Sequence, residues 1–304
     1  MDKTFRSGFV SIVGLPNAGK STLLNALVGQ KVAIVADKPQ TTRTSIQGVV
    51  TTAESQVVFL DTPGIHKADS PLNKRLMDAV RAALEERDLL LYVADASRGF
   101  GEEERKSLDL LRRAGTAALL VLNKVDLLRD KAALLPLIEA YRAAYEFAEF
   151  LPVSAARRDG LDDLMKVVVA RLPEGPAYFP EDHVTDQPER FLAAELVREK
   201  VLLATRQEVP HSVTVTVDRW EDTATLTRIY ATIRVERDGQ KAIVIGRGGS
   251  MLKRIGTQAR EEMERLFGVK IYLDLHVRVQ PGWRESAAFL DSLDWRTMAG
   301  EDET

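Results

Sequence analysis

The sequence has no cysteine among its 304 residues, which excludes disulfide bonds and thiolate metal sites. It also has no run of the roughly 18 apolar residues that a membrane-spanning helix requires. Residues 1–14 lack the basic-then-apolar layout of a secretory signal, and we therefore expect a cytoplasmic protein. The formal net charge is only -3, so a nucleic-acid partner would need a local basic patch rather than a global attraction.

The composition that is present, 45% hydrophobic and 29% charged residues, is that of a soluble globular protein. Residues 9–172 alternate short apolar runs with helical patterns. The strand candidates are "FVSIVG", "SIQGVVTT", "QVVFLD", "LLLYVAD", "ALLVLNK" and "FLPVS", and helical spacing occurs at 19–28, 102–114 and 160–172. This alternation predicts a doubly wound α/β domain with a mostly parallel sheet, whose ligand lies at the carboxyl ends of the strands.

A different order of elements begins after a proline-rich stretch. Residues 173–189 hold four of the twelve prolines, and because proline fixes φ, this stretch is predicted to be a semi-rigid linker. Beyond it, a helical pattern, two strand-like runs, a glycine turn, a second helical pattern and a last strand predict a small α+β domain. The predicted division is therefore a first domain at 1–172, a linker at 173–189, a second domain at 190–290 and a tail at 291–304.

The segment "GLPNAGKS", residues 14–21, follows an apolar strand and opens a helix, which is the context of a P-loop. Its backbone N–H groups can surround a phosphate, and the helix N-terminus adds a favourable dipole. Lys20 is predicted to reach the β- and γ-phosphate oxygens, and the Ser21 hydroxyl to bind Mg²⁺. The nucleotide-binding residues predicted in this region are Gly14, Asn17, Ala18, Gly19, Lys20, Ser21 and Thr22.

The segment "NKVD", which closes a later apolar strand, indicates the base. The Asp126 carboxylate can accept hydrogen bonds from N1–H and the exocyclic amine of guanine, whereas adenine offers no such pair of donors. Asn123 can tie the base edge to the P-loop, and the aliphatic stem of Lys124 can lie over the ring. Backbone N–H groups for guanine O6 are predicted from Ser154, Ala155 and Ala156. A metabolic P-loop kinase is the alternative, which "NKVD" and the lack of an evident acceptor-substrate lid disfavour.

Two further segments are predicted to respond to the γ-phosphate. "DTPG", residues 61–64, ends a strand, which places Asp61 to hold Mg²⁺ through water and the Gly64 N–H to contact the γ-phosphate. "PQTTRT", residues 39–44, offers Thr41 or Thr42 to the phosphate and the metal, and we favour Thr42. Loss of the γ-phosphate would release the segments at 39–44 and 61–67. The predicted catalytic residues are Lys20, Thr42 and Gly64, and the predicted metal ligands are Ser21, Thr42 and Asp61.

The residue that follows "DTPG" is Ile65, at the position where Ras-type enzymes have a water-orienting glutamine. An apolar side chain cannot orient the attacking water, so we expect intrinsic hydrolysis to be slow or to be helped by another group. The adjacent His66 is interpreted as a solvated loop residue rather than a catalytic one.

The second glycine turn, "GRGG" at residues 246–249, lacks the G-K-[ST] ending of a P-loop. It fits the G-x-x-G turn of a KH domain, which holds the backbone of about four nucleotides of single-stranded RNA. Residues 237–284 carry ten Lys and Arg against five Asp and Glu, a local excess that favours a phosphate backbone. The predicted RNA-binding residues are Gly246, Arg247, Gly248, Gly249, Lys253 and Arg254.

Together these motifs resemble the Era family of bacterial GTPases over nearly the full length. The resemblance rests also on "PQTTR", "DTPGIHK", "YFPEDHVTDQPERFLAAELVREK", "EVPHSV", "AIVIGRGGSMLKRIG" and "PGWRES". It implies a GTPase domain joined to a type II KH domain, with GTP, GDP and Mg²⁺ as ligands and K⁺ beside Asn17. It further implies binding to the 3′ end of 16S rRNA in the small-subunit precursor and loose association with the inner membrane.

Two hypotheses about function follow. The leading one is a GTP-driven switch that binds rRNA in its GTP state and releases it after hydrolysis. The alternative is a constitutive RNA-binding assembly factor whose nucleotide is largely structural.

Overall fold

The protein is described by a computed structural model over residues 4–38, 40–65, 70–85, 87–206 and 209–293. Over these residues the chain forms two compact units. The first lies within 1–33, 42–69 and 73–186, and the second within 34–41, 70–72 and 187–304. In the described ranges no helix is long and apolar enough to cross a membrane. The predicted tail at 291–304 lies outside the described residues from 294 onward.

The first unit is built around a twisted sheet of six strands, counted over the described residues. Its elements are β1 (Arg6–Val13), α1 (Lys20–Val28), β2 (Ile46–Thr51), β3 (Ser55–Asp61), α2 (Pro71–Leu84), β4 (Leu89–Asp95), α3 (Glu102–Ala114), β5 (Ala118–Asn123), α4 (Leu134–Ala144), β6 (Glu149–Pro152) and α5 (Leu161–Arg171). The strand order is β2-β3-β1-β4-β5-β6. Only the β2–β3 pair is antiparallel among these described strands, which confirms the predicted mostly parallel, doubly wound domain.

The central strands explain the consecutive apolar residues of the sequence. Every residue of β5 is buried, and in β4 only Asp95 is partly exposed. Separate hydrophobic clusters cover the two faces of the sheet, so side chains that point either way must be apolar. The parallel strands β1, β3, β5 and β6 end at the same edge, and the segments that carry the predicted nucleotide site follow them there.

The proline-rich stretch is attached to the first unit as far as residue 186. The buried side chain of Gln56 in β3 accepts hydrogen bonds from the N–H groups of Tyr178 (2.7 Å) and Phe179 (2.9 Å). Its amide group donates in turn to the Phe179 carbonyl at 2.8 Å. This side chain is one of several contacts that hold a stretch without regular secondary structure, and others join Ser7 to Pro173 and Pro176 and the Val49 N–H to the Val184 carbonyl.

The second unit is an α+β fold. Its elements are α6 (Glu189–Ala204), α7 (Val209–Ser212), β7 (Thr214–Asp222), β8 (Thr227–Val235), α8 (Asp238–Ile245), α9 (Ser250–Phe267), β9 (Ile271–Val279) and α10 (Ala287–Ser292). Within the described residues β8 is the middle strand, antiparallel to β7 and parallel to β9. The helix α9 packs through Ile255, Ala259 and Met263, none of which is exposed to solvent.

Three described helices of this unit, the short α7, α8 and α10, are missing from the order of elements predicted above. The apolar run before the second glycine turn belongs to α8 and not to a strand. Its start is fixed by Gln240, whose side-chain oxygen accepts the N–H groups of Glu236 (2.9 Å) and Arg237 (3.0 Å). Such a capping contact stabilises a short helix that apolar periodicity alone does not reveal.

Candidate functional site

The P-loop connects β1 to α1 at the carboxyl edge of the first sheet. Gly14 has a φ of +150°, and a Cβ at this position would lie 2.3 Å from the Val93 carbonyl oxygen, so only glycine fits. The Lys20 ammonium is buried and donates to the carbonyls of Gly14 (3.2 Å) and Leu15 (3.0 Å). Burial lowers the pKa of Lys20 to about 8, and the charge of Asp61 partly offsets this shift.

Three predicted metal ligands lie together beside this loop. The hydroxyl oxygens of Ser21 and Thr42 are 2.8 Å apart, and they donate to Asp61 Oδ2 at 2.5 and 3.5 Å respectively. Burial raises the pKa of Asp61 to about 6, against opposing contributions from Lys20 and from these hydrogen bonds. The neighbouring Thr41 hydroxyl instead donates to the carbonyl of Lys38 at 2.6 Å, within its own turn.

The magnesium ion that the motif implies fits these oxygens. Asp61 Oδ1 is buried without a hydrogen-bond partner among the described residues. This oxygen is therefore free to accept from a metal-bound water. The part of the chain that the structure describes contains no group of three or more His, Cys, Asp or Glu side chains suited to a metal. The ion would therefore take hydroxyl and phosphate oxygens together with a single carboxylate.

The segment after β3 returns to the P-loop. The Ile65 N–H donates to the Gly14 carbonyl at 3.1 Å, which brings Gly64 next to the phosphate loop. The Ile65 side chain is partly buried and packs against an apolar cluster of the first unit. Of the predicted responsive segments, Pro39, His66 and Lys67 lie outside the described residues.

The base-binding motif is fixed to the P-loop by hydrogen bonds. Asn123 donates from Nδ2 to the Ala18 carbonyl at 3.0 Å, which matches the tie expected from the sequence. Lys124 Nζ donates to the Asn17 carbonyl at 2.6 Å and to Asp95 Oδ2 at 2.8 Å. Burial by itself raises the pKa of Asp95, but the hydrogen bonds from Lys124 and Ser97 outweigh it and leave that pKa below its ordinary value.

Sequence reasoning missed Asp95. This carboxylate ends β4, so its position at the carboxyl edge of a predicted parallel strand was a signal available beforehand. Asp95 and the Asn17 carbonyl both accept from Lys124 Nζ, and this holds the aliphatic stem of the lysine in one place.

The carboxylate of Asp126 is held by the loop after β6. Ser154 Oγ donates to Asp126 Oδ1 at 2.6 Å. The Ser154 N–H donates to the Asp159 carbonyl at 3.0 Å, and the Ala155 N–H donates to Asn123 Oδ1 at 3.0 Å. Of the three N–H groups predicted to face guanine O6, that of Ala156 is therefore the one without an acceptor among the described residues.

The second glycine turn lies between α8 and α9, apart in sequence from the first. Gly246 has a φ of +73°, and a Cβ there would lie 2.6 Å from the Cβ of Met251, so the tight turn requires glycine. Arg247 and Gly248 are exposed at its tip, and Lys253 and Arg254 are exposed in the first turn of α9. A cavity of about 390 Å³ opens beside them, and its lining includes Gly249, Leu252, Lys253, Gly256, Thr257 and Leu275.

Comparisons with known proteins agree with both halves of this description. A sequence profile described as "50S ribosome-binding GTPase" matches residues 9–124, and a KH-domain profile matches residues 208–284. The GTPase Era of Geobacter metallireducens is 49% identical over 296 residues, which are 97% of this chain and 99% of the relative. The chain belongs to the Era family of GTPases.

Other members of the Era family match this chain over a similar share of its length. The GTPase Era of Geotalea uraniireducens is 50% identical over 290 residues, 95% of this chain and 97% of that relative. A crystal structure of Era in complex with MgGDPNP and nucleotides 1506-1542 of 16S ribosomal RNA superposes with a TM-score of 0.93 at 38% identity, covering 96% of this chain and 99% of that one. A variant of Aquifex aeolicus Era bound to GDP.AlF4- gives a TM-score of 0.92 at 38% identity, with coverage of 96% and 99%. The predicted P-loop GTPase domain followed by a KH domain is thereby confirmed.

The shifted pKa values of the Era-family site predict proton exchange on binding Mg²⁺ and GTP. Above about pH 8 the unliganded Lys20 is increasingly neutral, and phosphate favours its charged form, so binding should take up a proton. Below about pH 6 Asp61 is increasingly protonated, and Mg²⁺ favours its anion, so binding should release one. Affinity should therefore fall on both sides of this window. Titration calorimetry in buffers of different ionisation enthalpy measures both effects.

The nucleotide itself also exchanges protons, so the protein's contribution to proton exchange is obtained by comparing the wild type with variants. The Asp61→Asn variant should lose the acid-side release, and Lys20→Met should lose the alkaline-side uptake, while the ionisation of GTP is common to all three proteins. Identical proton exchange in the wild type and both variants would contradict the assignment.

Proposed function

We propose that this Era-family chain is a GTP-hydrolysing switch that binds 16S rRNA near its 3′ end and acts in assembly of the small ribosomal subunit. The observation that carries the nucleotide half is the convergence of Lys20, the Ser21–Thr42–Asp61 group and Asp126 at one edge of the first sheet. The relative that covers 96% of this chain was solved with MgGDPNP and 16S rRNA, which supports both halves of the proposal.

In this proposal the protein's own groups bind and orient the triphosphate. The Lys20 ammonium exchanges its loop carbonyls for β- and γ-phosphate oxygens, and the Gly64 N–H donates to the γ-phosphate. Ser21 and Thr42 would hold Mg²⁺ directly and Asp61 would hold it through water. When bound, Mg²⁺ would neutralise charge on the β- and γ-phosphates. Asn17 would help to hold the K⁺ that the family resemblance implies.

Hydrolysis in this site should be slow without assistance. Ile65 has no hydrogen-bonding group, so it can neither accept a proton from the attacking water nor orient it. The proposed catalytic contribution of Lys20, Thr42 and Gly64 is electrostatic, because all three stabilise charge on the transferred phosphoryl group. The attacking water must then be positioned by a group other than the Ile65 side chain.

The RNA half rests on the second unit. The turn at Gly246–Gly249 offers backbone close to the surface, and Arg247, Lys253 and Arg254 add three exposed cations around it. The adjacent cavity combines Leu252 and Leu275 with polar groups, a surface on which unstacked bases can lie. We propose that the turn holds the RNA backbone and that the cavity takes its bases.

We further propose that the protein works in the cytoplasm, with peripheral contact to the inner face of the cell membrane. This location is supported by the family resemblance alone. Cell fractionation at low and raised salt checks it, because a peripheral contact held by charge is weakened as salt increases. Complete recovery in the supernatant at low salt would remove the membrane part of this proposal.

A nucleotide can act as a switch only if it binds two states of the protein with different affinity. We therefore expect the full chain to bind a single-stranded RNA of the 16S 3′-end sequence more tightly with GDPNP and Mg²⁺ than with GDP, by about fivefold or more. Fluorescence anisotropy with labelled RNA measures the two affinities. Equal affinities would favour the constitutive RNA-binding factor and overturn the switch, while leaving both binding activities in place.

The RNA turn has its own matched test on α9. Arg254→Ala removes an exposed cation beside the turn, and Arg265→Ala removes an exposed cation from the last turn of the same helix. We expect the first variant to weaken RNA binding about five- to tenfold and to reduce the slope of log affinity against log salt by about 0.7. The second should change neither quantity, and equal losses in the two variants would show a diffuse electrostatic effect instead of a defined turn.

A further inference from the structure

The segment Ile34–Thr41 belongs by its contacts to the second unit, although it precedes the proposed metal ligand Thr42 directly. Ile34 is buried in the hydrophobic cluster of that unit, and Ala36 is partly buried against it. The segment between α1 and β2 is therefore packed through Ile34 and Ala36 against the hydrophobic cluster of the second unit. Thr42, the next residue in the chain, belongs to the first unit.

Two charged side chains of α6 hold this segment at both ends. The Val35 N–H donates to Glu199 Oε1 at 2.7 Å, and Arg198 Nη2 donates to the Thr41 carbonyl. Both contacts are to backbone atoms, so they hold Val35 and Thr41 whatever side chains these two residues carry. The Thr41 hydroxyl closes the turn between them through the carbonyls of Ala36 (3.1 Å) and Lys38 (2.6 Å).

The two side chains are themselves almost completely buried. Arg198 is 1% exposed and Glu199 is 2% exposed, although adjacent charged residues on a helix are usually found on a solvated face. Arg198 is fixed by two hydrogen bonds to the Glu195 carboxylate, at 2.7 and 2.6 Å. Glu199 Oε2 accepts from Lys200 Nζ at 2.7 Å. Arg198 and Glu199 thus each have a charged partner on α6, and each also makes a hydrogen bond to the backbone of the segment.

Burying such charges is costly, and an apolar pair of similar size often stabilises a fold equally well. A need for stability therefore does not explain their presence. What apolar residues could not supply is a donor for the Thr41 carbonyl and an acceptor for the Val35 N–H. Thr41 directly precedes Thr42, whose hydroxyl lies 2.8 Å from Ser21 Oγ and 3.5 Å from Asp61 Oδ2.

We propose that Arg198 and Glu199 are positioning residues of the nucleotide site, which hold the segment Ile34–Thr41 so that Thr42 is in place for Mg²⁺ and the γ-phosphate. This inference rests on the role proposed above for Thr42. It makes nucleotide discrimination depend on side chains of the second unit that do not touch the nucleotide. Since only the triphosphate engages Thr42, the two residues favour GTP over GDP.

The test is a comparison of affinities for GDPNP and GDP, each with Mg²⁺, using the full chain. Glu199→Ala should weaken GDPNP binding about tenfold, because a hydrogen bond to a charged group is lost, and leave GDP binding within about twofold. Glu199→Gln keeps an oxygen for the Val35 N–H and should restore most of the GDPNP affinity. Arg198→Lys keeps the charge but replaces two donating nitrogens, Nε and Nη2, by a single ammonium group, and an intermediate loss of about threefold is expected. If Glu199→Ala does not fold, the latter two variants decide.

Two controls separate positioning from general destabilisation. Glu236→Ala removes another largely buried carboxylate of the second unit, one that accepts from Arg284 and does not contact the segment. It should leave the ratio of GDPNP to GDP affinity unchanged. A double-mutant cycle gives the second control, because Glu199→Ala should have little further effect on GDPNP binding once Thr42→Ala is present.

Equal losses for both nucleotides, or additive effects in the cycle, would overturn the positioning role. Failure of the proposed function itself has a different signature. In that case Thr42→Ala alone would leave Mg²⁺-dependent GDPNP binding unchanged, whatever the α6 variants do.

Discussion

The nucleotide site depends on two opposite charges that the fold buries at one edge of a sheet. Lys20 lies at the start of α1 and Asp61 at the end of β3, and burial shifts the pKa of each toward its neutral form. Removing charges from water costs free energy that only suitable partners offset. Here the protein supplies part of this compensation, through loop carbonyls and two hydroxyl groups. A polyanion together with a divalent cation supplies the rest, which explains why such a costly arrangement suits a binding site.

The two glycine turns apply one physical principle to different ligands. In both, the chain turns tightly at a glycine where a Cβ would clash with a neighbouring atom, and turns of this kind can offer backbone N–H groups to phosphate oxygens. The surroundings make the difference. The first turn leads into a buried lysine and a hydroxyl–carboxylate group, which suits a compact triphosphate with its metal. The second is exposed, is surrounded by arginine and lysine, and adjoins an open cavity of about 390 Å³, which suits an extended polynucleotide.

The segment at 34–41 belongs to the second unit and directly precedes the proposed metal ligand Thr42 in the chain. It is anchored through buried charges of α6, and α6 in turn contacts α9, the helix that begins at the second glycine turn, through the ion pair of Lys200 with Glu262. A buried ion pair often contributes little net stability, whereas removal of one partner is strongly destabilising because it leaves the other charge uncompensated. Within the second unit a chain of charged contacts thus runs from the Val35 N–H through Glu199, Lys200 and Glu262 to α9.

The sequence by itself determined the element types, the fold class and the family, because these depend on local patterns. Consecutive apolar residues in "ALLVLN" indicate a strand buried on both faces, and "GLPNAGKS" specifies a phosphate loop by residue type and spacing. The helix α8 escaped such patterns, since a single capping contact from Gln240 fixes its start.

Only the tertiary structure decided which distant groups meet. The contacts of Asp95 with Lys124, and of Arg198 and Glu199 with the segment before Thr42, join residues far apart in the chain. In the sequence "VREK" is indistinguishable from a solvated helix face. Its burial follows from how α6 packs, and packing depends on the whole unit rather than on neighbours in sequence.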